Sequence, residues 1–254
     1  MHTRMLSPNM ERRLRSDYHN AQRRLLLLDY DGTLIPFFEK PEQARPGHDL
    51  LQLLQRLSGD PKNEVVLLSG RDKDTLERWF GALGLGLVAE HGVWIKEEEW
   101  DMIEPLTGDW KEEIRPLLEL YTDRTPGSFI EEKEFSLVWH YRKSDSELST
   151  TRVRELTDEL ITQTANLNLQ ILEGSKVVEV KNSGINKGRA ALRWIAREQW
   201  DFIVAIGDDR TDEDIFEVLP DTAYSLKVGL SSSLARFNLK SHADVLLLLG
   251  ALAS

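Results

Sequence analysis

Arg24-Leu25-Leu26-Leu27-Leu28-Asp29-Tyr30-Asp31-Gly32-Thr33 sets an unbroken apolar run against two carboxylates spaced two positions apart. Four consecutive leucines predict a strand covered on both faces, as in a parallel sheet sandwiched between helices. Packing does not explain the acids that follow. Residues i and i+2 of an extended segment point to the same side, and like charges there repel. A divalent cation, which seeks carboxylate oxygen, or a shared proton removes the conflict. The arrangement recurs where Phe202-Ile203-Val204-Ala205-Ile206 runs into Gly207-Asp208-Asp209-Arg210-Thr211-Asp212.

Outward from these two runs, Val65–Leu68, Leu85–Ala89 and Ala223–Val228 read as further buried strands. Leu50, Leu51, Leu53, Leu54 and Leu57 carry a helical period between the first two strands, and Leu76, Trp79, Phe80 and Leu83 carry another after them. Strand–helix–strand alternation implies right-handed crossovers and an α/β fold. The middle changes character. Trp110–Tyr121 and Val153–Ala165 read as helices. Phe129–Lys133 with Leu137–Tyr141 reads as a hairpin, and so does Leu169–Leu172 with Val177–Val180, turning at Gly174 and Ser175. That is an α+β module inside an α/β one, so we expect a core of residues 1–106 and 183–254 with residues 107–182 inserted. Gly188–Trp200 reads as a helix. Val245–Leu249 fits either a helix or an edge element, and residues 1–24 read as a solvated lead-in helix.

With 254 residues, 41% of them hydrophobic, the chain can bury a core. Its net charge of -11 argues against a general grip on nucleic acid, which needs basic surface. A few local cations still suffice to hold a phosphorylated small molecule. Having no cysteine, it has neither disulfides nor thiolate metal sites. No apolar run approaches the roughly 20 residues that span a bilayer. We therefore expect a cytoplasmic protein with no membrane partner.

Four expected strands end in polar clusters: Asp29–Gly32, Ser69-Gly70-Arg71, Glu90-His91-Gly92 and Gly207–Asp209. Open parallel sheets bind ligands at this end. A carboxylate at Asp29 can attack phosphorus and split one displacement into two. Asp31 can protonate the leaving oxygen and later deprotonate water. Ser69, Gly70 and Arg71 suit phosphate oxygens, though Ser69 can equally cap a helix. Lys187, beside an expected helix start, suits a bound anion there. Asp208 and Asp212 are the candidate metal ligands, and Mg²⁺ fits a site of few carboxylates bridging to phosphate. Trp139 and Tyr141 share a strand face, either as core or as a platform for sugar.

These phrases resemble the four motifs of the haloacid dehalogenase superfamily, in order. Together with Ala89–Gly92, Trp139–Arg142 and Asn186–Gly188, they are similar to the trehalose-6-phosphate phosphatases within it. The resemblance implies a Rossmann-like core with a smaller cap, and Mg²⁺-dependent hydrolysis of a sugar phosphate. It makes Asp29 the nucleophile and Asp31 the general acid/base. Ser69, Gly70, Arg71 and Lys187 are expected on the phosphoryl group. Asp29, Asp31 through its carbonyl, Asp208 and Asp212 are expected around Mg²⁺. Thr33, His91, Glu131, Lys133, Arg142 and Glu179 are expected on the substrate. Ser16–Arg24 resembles the join in fused synthase–phosphatase enzymes, which leaves two readings open: a stand-alone enzyme, or a domain with a trehalose-phosphate synthase as partner or fusion. Two alternatives remain open here: a phosphatase for sucrose or glucosylglycerol phosphate, and a non-catalytic partner of a synthase.

Overall fold

The computed structural model describes residues 4–38, 43–103, 106, 108–165 and 167–253. The chain divides into two compact units, Met1–Ile103 with Ile185–Ser254, and Glu104–Gly184. Thr107, where the inserted segment is expected to begin, lies outside the described residues. In chain order the first unit supplies β1 (Arg4–Met5), α1 (Pro8–Asn20), β2 (Arg24–Asp29), α2 (His48–Gly59), β3 (Asn63–Leu68), α3 (Lys73–Phe80), β4 (Gly86–Ala89), β5 (Trp94–Lys96) and β6 (Trp100–Met102). The second unit is α4 (Trp110–Asp123), β7 (Phe129–Glu132), β8 (Ser136–His140), α5 (Ser146–Thr164), β9 (Leu169–Gly174) and β10 (Val177–Asn182). The first unit resumes with α6 (Lys187–Ile195), β11 (Phe202–Gly207), α7 (Glu213–Val218), β12 (Tyr224–Val228), β13 (Phe237–Leu239) and α8 (His242–Leu252).

The large sheet runs β1-β13-β12-β11-β2-β3-β4-β5-β6, parallel as far as β4 and antiparallel beyond it. The α/β reading of the core holds. Strand β2 sits at its centre and alternates between two apolar layers. Leu26 and Leu28 join Leu54, Leu57, Phe80 and Leu249 on one face, while Leu25 and Leu27 join Ala190, Trp194 and Phe216 on the other. A strand buried on both sides needs the unbroken leucine run that it has. Because β11 lies beside β2, Asp29 and the Gly207–Asp212 loop emerge at the same end of the sheet.

Several elements depart from expectation for identifiable reasons. Helix α1 is not merely solvated: Leu14 and Tyr18, one turn apart, are both buried. The Tyr18 ring carries the Arg24 guanidinium at 4.2 Å, and its hydroxyl meets the Asn63 side chain. Helix α5 starts at Ser146, well ahead of Val153, because Asp145 caps it by accepting the amide N–H groups of Glu147 and Leu148. Helix α6 stops at Ile195, and the Trp200 indole donates back to the Trp194 carbonyl at 2.9 Å. The last apolar run resolves as helix α8, entered through a Ser241/Asp244 capping box.

The second unit is a four-stranded antiparallel sheet, β7-β8-β10-β9, with α4 and α5 on one face. Leu137, Trp139, Val178 and Val180 pack there against Ile114, Leu118, Leu156 and Leu160. Trp139 is fully buried and stacks on Tyr141 at 5.2 Å, so this aromatic pair is core. The β9–β10 turn is Ser175-Lys176, one residue later than Gly174-Ser175, and Lys176 takes a φ of 68°. Lys111 of α4 donates to the Glu134 carbonyl at 2.7 Å and pairs with Glu132 at 3.2 Å, fixing the β7–β8 turn. No helix among the described residues is long and apolar enough to cross a membrane.

Candidate active site

Asp29 closes β2 and is buried. Its Oδ1 accepts from Lys187 Nζ at 2.5 Å, and the same ammonium donates to Asp212 Oδ1 at 2.8 Å. Lys187 is the first residue of α6, whose start Asn186 caps by accepting the Arg189 N–H at 2.8 Å. The lysine reaches Asp212 because α6 runs unusually close to α7. A Cβ on Gly188 would stand 2.0 Å from the Asp214 carbonyl oxygen, so only glycine fits.

Asp212 Oδ2 accepts the backbone N–H groups of Asp208 and Asp209, at 2.8 and 3.0 Å, folding the loop after β11 around one carboxylate. Asp208 then faces Gly32, whose φ of +88° and missing Cβ leave room for it; a Cβ there would stand 2.4 Å from the carboxylate. The result brings one oxygen each of Asp29, Asp208 and Asp212 within 4.8 Å of one another. Asp29 Oδ2 is buried and, among the described residues, has no hydrogen-bond partner.

One ammonium faces three carboxylates here, so negative charge is left over. Burial pushes the Asp29 carboxyl up to about 8, with Asp208 and Asp209 adding to the rise. Burial likewise lifts Asp208 to about 6, and it raises Asp212. Lys187 stays charged: burial opposes its ammonium, but the Asp212 and Asp29 carboxylates outweigh that. An all-oxygen set of excess negative charge, with one oxygen unpartnered, fits a hard divalent cation.

The other expected residues distribute unevenly. Asp31 separates from Asp29 and takes a bidentate ion pair from Arg71, Nε to Oδ2 at 2.8 Å and Nη2 to Oδ1 at 2.6 Å. Arg71, expected on phosphate, thus orients Asp31 in this structure, with its guanidinium 5.0 Å from the centre of the Trp79 ring. Ser69 is buried and its Oγ accepts the Arg71 N–H at 3.2 Å. Helix capping falls instead to Asp72, which accepts from the Thr75 N–H, so Ser69 does not cap α3. Thr33, expected on the substrate, is fully buried and donates to Asp208 Oδ1 at 3.2 Å; it orients that carboxylate. His91 takes a φ of 55°, donates its N–H to the Ser69 carbonyl and lays its ring against Gly70.

In the second unit, Glu131 and Glu179 both register with Val138, placing them on the sheet face opposite α4 and α5. Glu131 Oε2 lies 2.7 Å from His140 Nε2. That hydrogen bond, and the charge of Lys133, hold the Glu131 carboxyl below the usual range against its partial burial. Arg142 does not join them: its Nη2 donates to the Ser175 carbonyl at 2.8 Å and braces the β9–β10 turn. His140 was missing from the expected set. The signal was available, since it alternates with buried Trp139 and must face Glu131, and Phe129 stacks on it at 4.6 Å.

A family model for trehalose-phosphatase matches residues 27–243. The chain belongs to the trehalose-phosphatase family. Among relatives in that family, a bifunctional trehalose-6-phosphate synthase/phosphatase of Thermoproteus tenax is 44% identical over 232 residues, spanning 91% of this chain and 32% of that protein. A trehalose-phosphatase of Zygosaccharomyces rouxii is 38% identical, over 86% of this chain and 27% of that one. The solved C-terminal domain of the C. albicans trehalose-6-phosphate phosphatase matches with a TM-score of 0.91 and 33% identity, covering 99% of this chain and 98% of that domain. The chain therefore spans about a third of the length of the curated relatives it matches.

Proposed function

We propose that this chain hydrolyses trehalose 6-phosphate to trehalose and phosphate, in trehalose biosynthesis, through an aspartyl-phosphate on Asp29. The observation that carries the reading is the state of Asp29: one oxygen fixed by Lys187, the other buried and unpartnered at the end of the central strand. That second oxygen attacks phosphorus, and the bond from phosphorus to the sugar oxygen breaks as the Asp29–phosphorus bond forms. Asp31 gives its proton to the departing sugar oxygen. It then takes one from the water that attacks phosphorus, releasing phosphate and restoring Asp29. Lys187, with Ser69, Gly70 and Arg71, holds the phosphoryl oxygens. Asp29, Asp208 and the Asp31 carbonyl would hold Mg²⁺, with Asp212 in support. Bound there, the ion would neutralise the carboxylates and the phosphoryl charge.

Sugar recognition we assign to Glu131, Lys133 and Glu179 of the second unit and to His91 of the first; Arg142, expected there, is engaged in the β9–β10 turn. A trehalose-phosphate synthase, fused or separate, is the proposed source of substrate. A phosphate-release screen over trehalose 6-phosphate, sucrose phosphate, glucosylglycerol phosphate and an aryl phosphate, with and without Mg²⁺, tests the reading. Trehalose 6-phosphate should be the best substrate and chelation should stop turnover; preference for another sugar phosphate overturns the substrate assignment. Glu131→Ala should cut kcat/KM for trehalose 6-phosphate by roughly ten- to a hundredfold, since a lost charged hydrogen bond costs about 1.5–3 kcal/mol. Cleavage of the aryl phosphate should hardly change. Equal losses on both substrates would remove Glu131 from sugar recognition.

Mg²⁺ should also stabilise the folded chain. At a hundredfold excess over its dissociation constant the gain is about 2.7 kcal/mol, or roughly 5–10 °C in Tm for a chain of this size. Asp208→Asn should abolish that shift, measured by thermal denaturation with and without the ion. A full shift in the variant would take Asp208 out of the cation site.

A further inference from the structure

Strand β12 is buried throughout, yet it carries a lysine in its interior, Lys227. Lys227 Nζ donates to the Asp209 backbone carbonyl at 2.7 Å and to Glu213 Oε1 at 3.2 Å. Glu213 in turn accepts from the Ser233 hydroxyl at 2.7 Å and from the Leu234 N–H at 2.6 Å. This network ties the loop after β11 to β12 and to the segment leading into β13. None of its side chains is among the carboxylates that present oxygens to a cation.

The loop 208–212 is gripped from two sides. Asp212 takes the N–H groups of Asp208 and Asp209, and Lys227 takes the Asp209 carbonyl. Gly207, the residue before the loop, pairs in register with Lys227 itself. With both sides held, the backbone carrying Asp208 has one orientation, and its carboxylate meets Asp29 rather than turning away. The Lys227–Glu213 pair is neutral as a whole, so it supplies geometry without adding net charge near the acids.

We propose that Lys227, balanced by Glu213, is a positioning residue that sets the cation affinity of the Asp29–Asp208–Asp212 site by holding the Asp209 peptide. The inference rests on the cation reading given above. Groups that orient metal ligands from behind typically contribute 10- to 100-fold to affinity.

The test is a Mg²⁺ titration of Tm, with no turnover involved, on wild type, Lys227→Met, Lys227→Arg and the neutral double variant Lys227→Met/Glu213→Gln. The Mg²⁺ midpoint should rise 10- to 100-fold in Lys227→Met and in the double variant, and Lys227→Arg should recover much of the loss. The double variant keeps the test open if Lys227→Met, with Glu213 left as a half-buried charge without its cation, does not fold. An unchanged midpoint with Tm lowered at every Mg²⁺ concentration would reduce Lys227 to a structural role and overturn the proposal. A tighter midpoint would also overturn it, because removing a nearby positive charge should favour Mg²⁺ if the lysine acted only through its field. No Mg²⁺ shift in wild type would overturn the cation reading itself, which a changed variant beside a normal wild type cannot do.

Discussion

Asp29→Asn should lower phosphate release from a sugar phosphate by on the order of 10⁴-fold or more, because it removes the attacking oxygen's charge at the one position from which it can reach phosphorus. The same substitution should leave Tm unchanged or raise it in the absence of Mg²⁺. Burial holds the Asp29 carboxyl up near 8, so its charged form is disfavoured in the folded chain at neutral pH. An amide of the same shape relieves that cost and can still accept from Lys187. Stability exchanged for function in this way is common at active sites. Phosphate-release assays and thermal denaturation on the same preparation check both halves. Retained turnover would remove Asp29 as nucleophile, and a large fall in Tm would mean that its charge stabilises the site.

Lys187→Met should act in the opposite sense on stability and the same sense on activity. The lysine is almost wholly buried and bonds two buried carboxylates. Breaking a buried ion pair from one side strands the other charge, typically at about 3–5 kcal/mol, or roughly 6–20 °C in Tm. Adding Asp212→Asn should recover part of the loss, since the two residues share one network. Thermal melts of the single and double variants measure that coupling. Strictly additive effects would mean that the contact between them carries no energy.

The parallel core was legible because Leu25–Leu28 and Phe202–Ile206 must be covered on both faces, which makes them strongly apolar. Strands β5 and β6 escaped notice for the converse reason: each has only three residues and carries a charge, and β5 buries only Ile95 while β6 buries none. The start of α5 was hidden by its polar first two turns, although Asp145 was there as a cap. At the site, acids that follow apolar runs stand out in any reading, as does a lysine at a helix start. Pairings do not. Nothing in the spacing of Asp31 and Arg71 says that the guanidinium settles on the carboxylate, or that the Thr33 hydroxyl turns inward to Asp208. Lys227 was legible in principle, as a lone charge inside an apolar strand.

The central position of β2 bears on how the chain is made. Its Leu26 pairs on one side with Val65, close in sequence, and on the other with Val204, which follows the whole second unit. At synthesis rates of about 5–20 residues per second, the interval between these partners is roughly seven to thirty seconds. Throughout it, the nascent sheet presents a leucine-rich edge with unpaired backbone groups, the kind of surface that recruits other chains. The α4–β10 segment, continuous in sequence, can fold as a unit while β2 waits. Ribosome-bound fragments ending before Phe202 thus carry β2 with one edge still without its β11 partner.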